Sequence, residues 1–580
     1  MPPAEVPYLA ITDPAVRERI RAHAIENAVA HGGTARWETV LGKMMALEPA
    51  LRSERDAAAA LTREIVEAVN ATPLEELRGI LATLPPSRPA PAEGGGVKTP
   101  PRLELPALPN AEQGKVVLRF APFPSGALHL GSARGVFLND AYRKRYDGKF
   151  YVVYDDTVGS EEKRPFLEAY DLIRQDLETV DVVPDAYYYK SDRMELYYRR
   201  LPPLFESGKA YVCTCPAETL RENRRTGTAC AERDRPLEWH REAWEGMLSG
   251  KYAPGEAIVR IKTDMAHPNP AFRDRVLFRI SDFEHPRVGK RYRVWPMLEY
   301  AFAVDDLELG ITHVLRGKDL MMEDMMEQAL WSAWGRQGPE LIHWGLLSVR
   351  DAKISKSKSY AEVMSGVYDG WSDPRTWSFA SLFRRGIRPE AIRSFVLSFG
   401  MSLADIEVPA ESLYAENRKL LDPVTPRRAF VADPRVVAVE GFPDELASVS
   451  LANHPTREEL GRRDVRVQGG RFYLAARDVD QHCGKEFRLK DLVNIELTDD
   501  GHARFTSRPN KPIPRVQWVA ADGAVPVSLL QVDGSRVEGM GEGSLASVKE
   551  GELFQFERVG FVRADPQTPD GPRRFVFGHP

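Results

Sequence analysis

The 580-residue sequence predicts a multidomain protein built around a doubly wound α/β domain, with a helical domain before it and β-rich domains after it. Three observations lead to this fold class. Helical periodicity dominates residues 14–84, apolar strands alternate with helices over 114–360, and short alternating strands separated by Gly, Pro and Asp turns fill 425–580. A chain of this length exceeds one hydrophobic core, so several domains are expected.

Composition argues against a membrane protein, a disulfide-rich protein and a protein that coats nucleic acid. Hydrophobic content of 43% and charged content of 28% are typical of globular proteins, and apolar runs stay well below the roughly 20 residues that span a bilayer. We therefore expect no membrane association. Four cysteines in so long a chain do not form a disulfide framework, which favours a cytoplasmic location. The net charge of −5 argues against indiscriminate nucleic-acid coating but allows a local basic face.

The amino-terminal part separates into a helical domain and a linker. Residues 1–84 form the predicted helical domain, in which Gly32 and Gly33 follow the first helical pattern and are typical of a helix end. Residues 85–113 are rich in Pro and Gly. This composition cannot build a core, so we predict a linker.

The first half of the α/β domain, residues 114–209, opens with a strand, a Pro/Gly-rich turn and a helix. The sequence VVLRF-APFPSGALHLGS runs from residue 116 to 132. Backbone N–H groups and the helix dipole at such a turn attract phosphate groups. The alternative is a purely structural turn. A second strand, residues 150–156, ends in two acids that would point into the same crevice, or would simply form an acidic turn.

Residues 210–294 interrupt the α/β pattern and are predicted to form an inserted domain. Cys213, Cys215 and Cys230 have the spacing of a zinc site that lacks its fourth ligand. Either His240 or a nearby acid could supply that ligand. The predicted second half of the α/β domain, residues 295–360, ends in the loop DAKISKSKSY, whose lysines and serines are also compatible with a solvated surface loop.

A helical connector is predicted over 361–424 and one or two β-barrels over 425–580. Basic clusters in these regions are candidate contacts for nucleic acid, and their alternative is a solvated helix face. The candidates are Arg384, Arg385 and Arg427.

Two short stretches together resemble the paired signatures of class I aminoacyl-tRNA synthetases. His129-Leu130-Gly131-Ser132 is similar to the HIGH motif, and Lys353-Ile354-Ser355-Lys356-Ser357 is similar to KMSKS. Longer stretches, including GITHVLRGKD, NRKLLDPVTPR and VQWV, resemble the archaeal/eukaryotic type of glutamyl-tRNA synthetase, in the branch that also contains glutaminyl-tRNA synthetases. The resemblance covers nearly the whole chain.

The resemblance implies a Rossmann-like catalytic domain, an inserted domain that binds the acceptor stem, and β-barrels that bind the anticodon. It implies activation of L-glutamate with ATP and Mg²⁺, followed by transfer to the 3′-terminal adenosine of tRNA(Glu). Whether tRNA(Gln) is also charged stays open. A monomer is expected, and zinc is a further candidate cofactor at the three cysteines.

The resemblance also implies residue roles. The catalytic group comprises His129, Lys353 and Lys356. The ATP ligands comprise Pro124, Gly126, His129, Gly131, Ser132, Lys353 and Lys356. The glutamate ligands comprise Arg119, Asp155, Arg316 and Tyr300. An arginine at position 316 suits a carboxylate and not an amide, unless it forms a structural ion pair with Asp305, Asp306 or Asp319.

The chain departs from the family pattern at several positions, among them Val158-Gly159-Ser160 after YDDT, where the family has Asp-Pro. Ser132 replaces the second histidine of HIGH, Phe123 replaces an asparagine, and Leu298 replaces a tyrosine. Two alternatives therefore accompany the glutamate enzyme. One is a synthetase-like paralogue with weak or lost activation that still binds tRNA or nucleotide, and the other is a glutaminyl-tRNA synthetase.

Overall fold

The computed structural model describes residues 14–30, 32–47, 55–83, 105–159, 164–350, 356–498 and 502–580. These residues fall into two compact units, one within residues 1–100 and the other within 101–580. Among the helices in the described ranges, none combines the length and the apolar character that crossing a membrane requires.

The first unit has the predicted helical architecture. Its described helices are α1 (Pro14–Ala30), α2 (Trp37–Leu47), α3 (Arg55–Asn70) and α4 (Leu74–Thr83). Buried side chains such as Ile20, Val40 and Val66 form its core. The side chain of Asn70 binds both the backbone N–H and the carbonyl of Ala35, at 2.7 and 3.0 Å, and so holds the α1–α2 connection against the end of α3.

Strands and helices alternate through the next part of the chain. The strands are β1 (Val117–Phe120), β2 (Lys149–Tyr154), β3 (Ala186–Tyr189), β4 (Ala210–Cys213), β5 (Ile258–Ile261), β6 (Val276–Ile280), β7 (Val294–Pro296), β8 (His313–Gly317), β9 (Glu340–Trp344), β10 (Leu347–Arg350) and β11 (Ile406–Pro409). The α-helices are α5 (Ala133–Tyr146), α6 (Leu167–Thr179), α7 (Met194–Arg200), α8 (Pro202–Glu206), α9 (Ala217–Thr226), α10 (Leu237–Ser249), α11 (Leu298–Glu308), α12 (Met321–Ala333), α13 (Lys356–Met364), α14 (Phe379–Arg384), α15 (Pro389–Leu397) and α16 (Glu411–Leu421).

The central sheet has five parallel strands in the order β3-β2-β1-β8-β9, which confirms the predicted α/β fold. Its strands read as continuous apolar runs because both faces are covered, and Leu118, Val152 and Val314 are completely buried. The chain progresses outward on one side from β1 to β3 and on the other side from β8 to β9. Strand order therefore reverses between β1 and β8, and ligands bind at the carboxyl ends of strands at such a point.

The inserted region forms an antiparallel sheet in the order β4-β5-β6-β7. The described residues of the predicted linker, 105–113, pack against the α/β domain. Leu108 is buried in the same core, the hydroxyl of Tyr142 donates to the carbonyl of Pro106 at 3.0 Å, and a His313 ring nitrogen lies 2.8 Å from the carbonyl of Pro109.

The last part of the chain is β-rich, as predicted. Its strands are β12 (Arg427–Arg428), β13 (Phe430–Ala432), β14 (Pro434–Glu440), β15 (Ser448–Ala452), β16 (Arg462–Arg466), β17 (Arg471–Ala475), β18 (Glu486–Leu489), β19 (Asn494–Leu497), β20 (Ala503–Ser507), β21 (Arg515–Val516), β22 (Val519–Ala520), β23 (Val525–Leu530), β24 (Arg536–Gly541), β25 (Leu553–Phe556), β26 (Gly560–Ala564) and β27 (Arg573–His579), with one helix, α17 (Ala476–His482), described among them. They build two barrel-like seven-stranded sheets and a separate two-stranded sheet of β15 and β16. The chain contributes β12 and β13 to the sheet of β23–β27 before it forms the other sheet.

A buried arginine joins the central sheet to the helical connector. Arg134 in α5 is completely buried, and its guanidinium donates to the carbonyls of Gly345 and Gly400 at 2.7 and 2.6 Å. Burial lowers the pKa of Arg134 to about 10, so the side chain still carries its charge at neutral pH. These bonds satisfy the carbonyl of Gly345, which directly follows β9, and the carbonyl of Gly400, which lies shortly after α15.

We predict that Arg134→Met destabilises the second unit by about 3 kcal/mol, because it leaves two carbonyls without their donors. Urea unfolding followed by tryptophan fluorescence measures the change. The control is Arg241→Met, which removes an exposed ion pair with Glu206 and should alter stability by less than about 1 kcal/mol. Equal effects of the two substitutions would contradict the role given to Arg134.

Candidate active site

The charged side chains predicted from the sequence gather at the carboxyl edge of the central sheet. Arg119 belongs to β1 and Arg316 to β8, and these two strands are neighbours. Asp155 directly follows β2, and Lys190 directly follows β3. Parallel strands bring these ends to one edge, so sequence-distant charges lie in one crevice.

Arg119 is held by a bidentate ion pair. Its Nε and Nη2 both bind the carboxylate of Asp306 in α11, with 2.9 Å between Nη2 and Oδ2. Its guanidinium also lies over the ring of Phe302, 4.1 Å from the centroid. The side chain is 3% exposed, so its orientation is set by the protein.

Arg316 is also paired, though not with the acids that the sequence alternative named. Its Nη1 and Nη2 bind the carboxylate of Glu327 at 2.9 and 2.8 Å, and its Nε binds Asp324 at 3.1 Å. Burial raises the pKa of Glu327 to about 7, although the pairing with Arg316 acts in the opposite direction. Both acids lie on α12, one turn apart. The residues of β8 alone therefore did not indicate these partners.

Asp155 binds Lys190, which the sequence analysis did not identify. The lysine Nζ lies 2.7 Å from Oδ1 of Asp155, and the lysine side chain is completely buried. The backbone N–H of Asp155 donates to the carbonyl of Pro122 at 3.1 Å, which ties the acid to the first turn. The sequence feature that could have identified Lys190 is a charged residue directly after the aromatic strand β3.

Tyr300 does not lie in the crevice as predicted. Its side chain is completely buried, and its hydroxyl donates to the backbone carbonyl of Tyr197 at 2.9 Å. This hydroxyl packs inside the domain, so we withdraw Tyr300 as a glutamate ligand. Its helical neighbour Glu299 pairs with Arg275 instead, and burial raises the pKa of Glu299.

The turn around His129 is pinned to the helical connector. Leu130 N–H donates to the carbonyl of Trp377 at 3.2 Å, and Phe379 N–H donates to the carbonyl of Leu128 at 2.9 Å. Within the turn, Nδ1 of His129 accepts from the N–H of Gly131 at 3.0 Å, which caps a 3₁₀ turn before α5. Gly131 is exposed and Ser132 is half-buried, so this end of the turn is accessible.

Gly126 has a different role from the one expected. Its φ is +153°, and a Cβ placed there would lie 2.2 Å from a ring carbon of Trp371. The residue must therefore be glycine to let the indole of Trp371 pack on the turn. Pro124 is buried nearby, and its carbonyl accepts from the N–H of Phe166 at 3.1 Å.

The lysine loop is described only from its last residues. Lys353 lies outside the described residues, and so does the side chain of Lys356, the first residue of α13. Their predicted roles stay predictions.

Two of the three candidate RNA contacts hold the connector against the β-rich region. Arg384 binds Asp565 through Nε and Nη2 at 2.8 and 2.5 Å. Arg385 is 1% exposed and donates to the Tyr414 hydroxyl and the Gly578 carbonyl at 2.7 and 2.8 Å. Both side chains thus form contacts within the protein, and their predicted role as RNA contacts stays a prediction.

Arg427 keeps a position compatible with its predicted role. It lies 3.7 Å from Asp422 and lines a cavity of about 100 Å³ between the two barrel-like sheets. Arg463, Lys490 and Trp518 line the same cavity.

A larger, arginine-lined cavity of about 920 Å³ lies mainly on the inserted domain. Its basic lining residues are Arg164, Arg221, Arg224, Arg260 and Arg279. Arg260 is 1% exposed, its Nε donates to the Asp274 carbonyl at 2.7 Å, and its buried Nη2 has no hydrogen-bond acceptor among the described residues. Burial, together with the nearby charge of Arg260, lowers the pKa of Arg224. Such a cavity favours an anionic ligand.

The three cysteines meet Glu232, which supplies the acid that the sequence left open. The sulfurs of Cys213 and Cys215 lie 3.4 and 3.2 Å from that of Cys230, and Oε2 of Glu232 lies 2.6 Å from the Cys230 sulfur. All four ligand atoms lie within 4.8 Å of one another. His240 does not belong to this group of ligand atoms, and its Nδ1 accepts from the N–H of Val212 at 3.2 Å.

Comparison with known proteins agrees with this architecture. The family model for the catalytic domain of class I (E and Q) tRNA synthetases matches residues 115–423, and two models for their anticodon-binding domains match 425–507 and 515–565. The glutamate–tRNA ligases of Pyrococcus abyssi and Pyrococcus furiosus are each 42% identical over 556 residues, covering 94% of this chain and 96% of theirs. That of Thermococcus onnurineus is 40% identical over 569 residues, covering 96% and 98%. The chain therefore belongs to the glutamyl/glutaminyl (E and Q) family of class I tRNA synthetases.

Proposed function

We propose that the protein is a glutamate–tRNA ligase, which activates L-glutamate with ATP and transfers it to tRNA(Glu). The observation that carries this proposal is the pair of buried arginines at the carboxyl ends of neighbouring strands, Arg119 and Arg316. Glutamate has two carboxylates, and two oriented guanidinium groups match them. The similarity to three glutamate–tRNA ligases over at least 94% of this chain supports the same substrate.

Activation requires the substrate carboxylate to attack the α-phosphate of ATP while pyrophosphate leaves. Charge builds on the phosphate oxygens, so catalysis depends on positioned donors and cations. We assign His129 and the accessible end of its turn to one side of the phosphates, and Lys353 and Lys356 to the other. Mg²⁺ would bridge the phosphates, as it does in other ATP sites.

Arg316 is the proposed basis for choosing glutamate over glutamine. A guanidinium forms stronger, charge-assisted hydrogen bonds with a carboxylate than with a neutral amide. Glu327 and Asp324 already fix the plane of the Arg316 guanidinium. Asp155, beside Lys190, is assigned to the α-ammonium group.

We assign the arginine-lined cavity of the inserted domain to the acceptor end of the tRNA, and the cavity beside Arg427 to the anticodon region. Phosphate contacts from arginine supply most sequence-independent affinity for RNA. The first of these cavities offers five arginines within one concave surface.

The proposed function predicts glutamate-dependent ATP–pyrophosphate exchange with tRNA(Glu) present, and glutamyl-tRNA formation at a rate at least about 100-fold above that with glutamine. Radiolabelled exchange and aminoacylation assays measure both. Absence of exchange from a folded, tRNA-binding preparation would identify a paralogue that has lost activation. A preference for glutamine would identify a glutaminyl-tRNA synthetase and overturn the role of Arg316.

We predict that Lys356→Ala lowers the activation rate about 100- to 1,000-fold, because it removes one positioned cation from the transition state. Binding of tRNA, measured by filter retention, should change less than twofold. Lys358→Ala, with the same loss of charge on the same segment, serves as the matched control. Equal losses of activation and tRNA binding would make the lysine loop an RNA contact.

We further propose zinc at Cys213, Cys215, Cys230 and Glu232. Tetrahedral zinc with bonds of about 2.3 Å to sulfur places its sulfur ligands about 3.8 Å apart, close to the spacing in this cluster. Three thiolates and one carboxylate complete a structural tetrahedron. Zinc would hold the loop after β4 against the short turn that contains Glu232.

We predict about one zinc ion per chain by elemental mass spectrometry. Cys230→Ser should remove most of the zinc and lower the melting temperature of the inserted domain by several degrees. The reason is that Cys230 lies next to each of the other three ligands. Cys483→Ser, outside the cluster, is the matched control and should leave the zinc content unchanged. Zinc-free wild-type protein purified without chelators would refute the site.

A further inference from the structure

The guanidinium group of Arg316 is almost fully occupied by two carboxylates of the protein itself. Its Nη1 and Nη2 donate to Glu327 at 2.9 and 2.8 Å, and its Nε and Nη2 both donate to Oδ1 of Asp324. These contacts use four of the five N–H donors that a guanidinium has. A substrate carboxylate therefore cannot form two hydrogen bonds with Arg316 unless one of the two acids releases a donor.

Charge balance sets a second limit on binding at Arg316. Burial acts to raise the pKa of Asp324, but hydrogen bonds from His343 of β9 and from Arg316 outweigh it and hold that pKa below its ordinary value. Asp324 is therefore ionised at neutral pH and by itself balances the charge of Arg316. When Glu327 is ionised too, a substrate carboxylate would be the third one around a single buried guanidinium, which is electrostatically unfavourable.

Glu327 is the member of this cluster whose charge can change near neutral pH. It is completely buried, and burial raises its pKa to about 7, although the pairing with Arg316 acts in the opposite direction. Two charged groups from neighbouring elements also act on it: Asp306 of α11 raises its pKa, and Arg119 of β1 lowers it. Asp306 and Arg119 form an ion pair with each other, so their effects largely cancel.

The protonation state of Glu327 determines which side chain the site can accept. An ionised carboxylate only accepts hydrogen bonds, so it suits the NH₂ group of an amide such as glutamine. A protonated Glu327 keeps one oxygen as an acceptor for Arg316, releases a guanidinium N–H and adds an O–H donor. The cluster of Arg316, Asp324 and Glu327 is then neutral, and both donors suit the side-chain carboxylate of glutamate.

We propose that Glu327 is a specificity-determining residue, and that the side-chain carboxylate of glutamate binds at Arg316 together with a proton on Glu327. Above neutral pH that proton is taken up from solvent when glutamate binds. One negative and one positive charge then enter together, so the net charge of the cluster does not change. This inference rests on the proposed function and deepens it, because it makes the selection of glutamate by Arg316 depend on pH.

Isothermal titration calorimetry of L-glutamate into the protein saturated with tRNA(Glu), in buffers of different ionisation enthalpy, measures the protons taken up on binding. We expect uptake of about one proton at about pH 8, where Glu327 is mostly ionised before glutamate binds, and almost none at about pH 6. Glu327→Gln mimics the protonated side chain, so it should bind glutamate without proton uptake at either pH. Glu323→Gln is the matched control, because Glu323 lies on the same helix and pairs with Arg275 at 3.1 Å. It should leave the uptake unchanged.

The selectivity for glutamate should fall as the pH rises. Pyrophosphate exchange with glutamate and with glutamine gives the ratio of their kcat/KM values, in which titration of ATP and tRNA cancels. In the wild-type protein this ratio should be at least about tenfold lower at about pH 8.5 than at about pH 6.5, because the protonated fraction of Glu327 falls by more than that factor. In Glu327→Gln the ratio should change by less than about twofold.

Asp324→Asn provides a second variant if Glu327→Gln fails to fold. It removes the other negative charge beside Arg316, so proton uptake at about pH 8 should fall below about half of the wild-type value. Wild-type binding of glutamate without proton uptake at about pH 8, uptake that persists in either variant, or loss of glutamate binding in folded Glu327→Gln overturns the proposal. Absence of glutamate binding to the wild-type protein at every pH would instead refute the proposed function.

Discussion

Pairing of buried charges at the carboxyl edge of the central sheet is the constraint on which the rest of this structure depends. Arg119, Lys190 and Arg316 are withdrawn from solvent, and each is matched to a carboxylate, on Asp306, Asp155 and Glu327 respectively. Removing one partner from such a pair commonly costs 3–5 kcal/mol, because the remaining charge stays buried. The acids are therefore as necessary to the crevice as the cations with which they pair.

This pairing explains why the amino-acid site is assembled from several elements. The cations come from β1, β8 and the residue after β3, while their partners come from α11, α12 and the end of β2. Helix packing on the sheet determines the position of the two arginine pairs, whereas the Asp155–Lys190 pair joins two strand ends. A guanidinium whose plane is set by one carboxylate presents its remaining surface to a ligand in one orientation, which is the geometric basis of selective carboxylate binding.

The helical connector has a mechanical role in addition to any contact with RNA. Its residues 377–379 hold the His129 turn, and its arginines hold the sheet that ends in β27. Arg134 secures the same connector to α5. The His129 turn and the part of the chain that matches the anticodon-binding models are thus attached to one set of helices.

Local sequence determined the elements that depend on periodicity and turn chemistry. The parallel strands, the glycine-containing turn before α5, the amino-terminal helices and the β-rich carboxyl-terminal region follow from patterns of apolar residues, Gly and Pro. Family resemblance pointed to Arg119, Asp155 and Arg316, and the position of these residues at strand ends places them at one edge.

Tertiary structure decided which polar residues are partners and which are accessible. Tyr300 and Arg385 have unremarkable sequence neighbourhoods, yet packing from distant segments buries both. Gly126 is required by the indole of Trp371, far along the chain, and Glu232 rather than His240 meets the cysteines. The physical reason is common to these cases: burial and hydrogen-bond partners depend on contacts between residues remote in sequence, whereas sequence patterns report only the local conformation of the backbone.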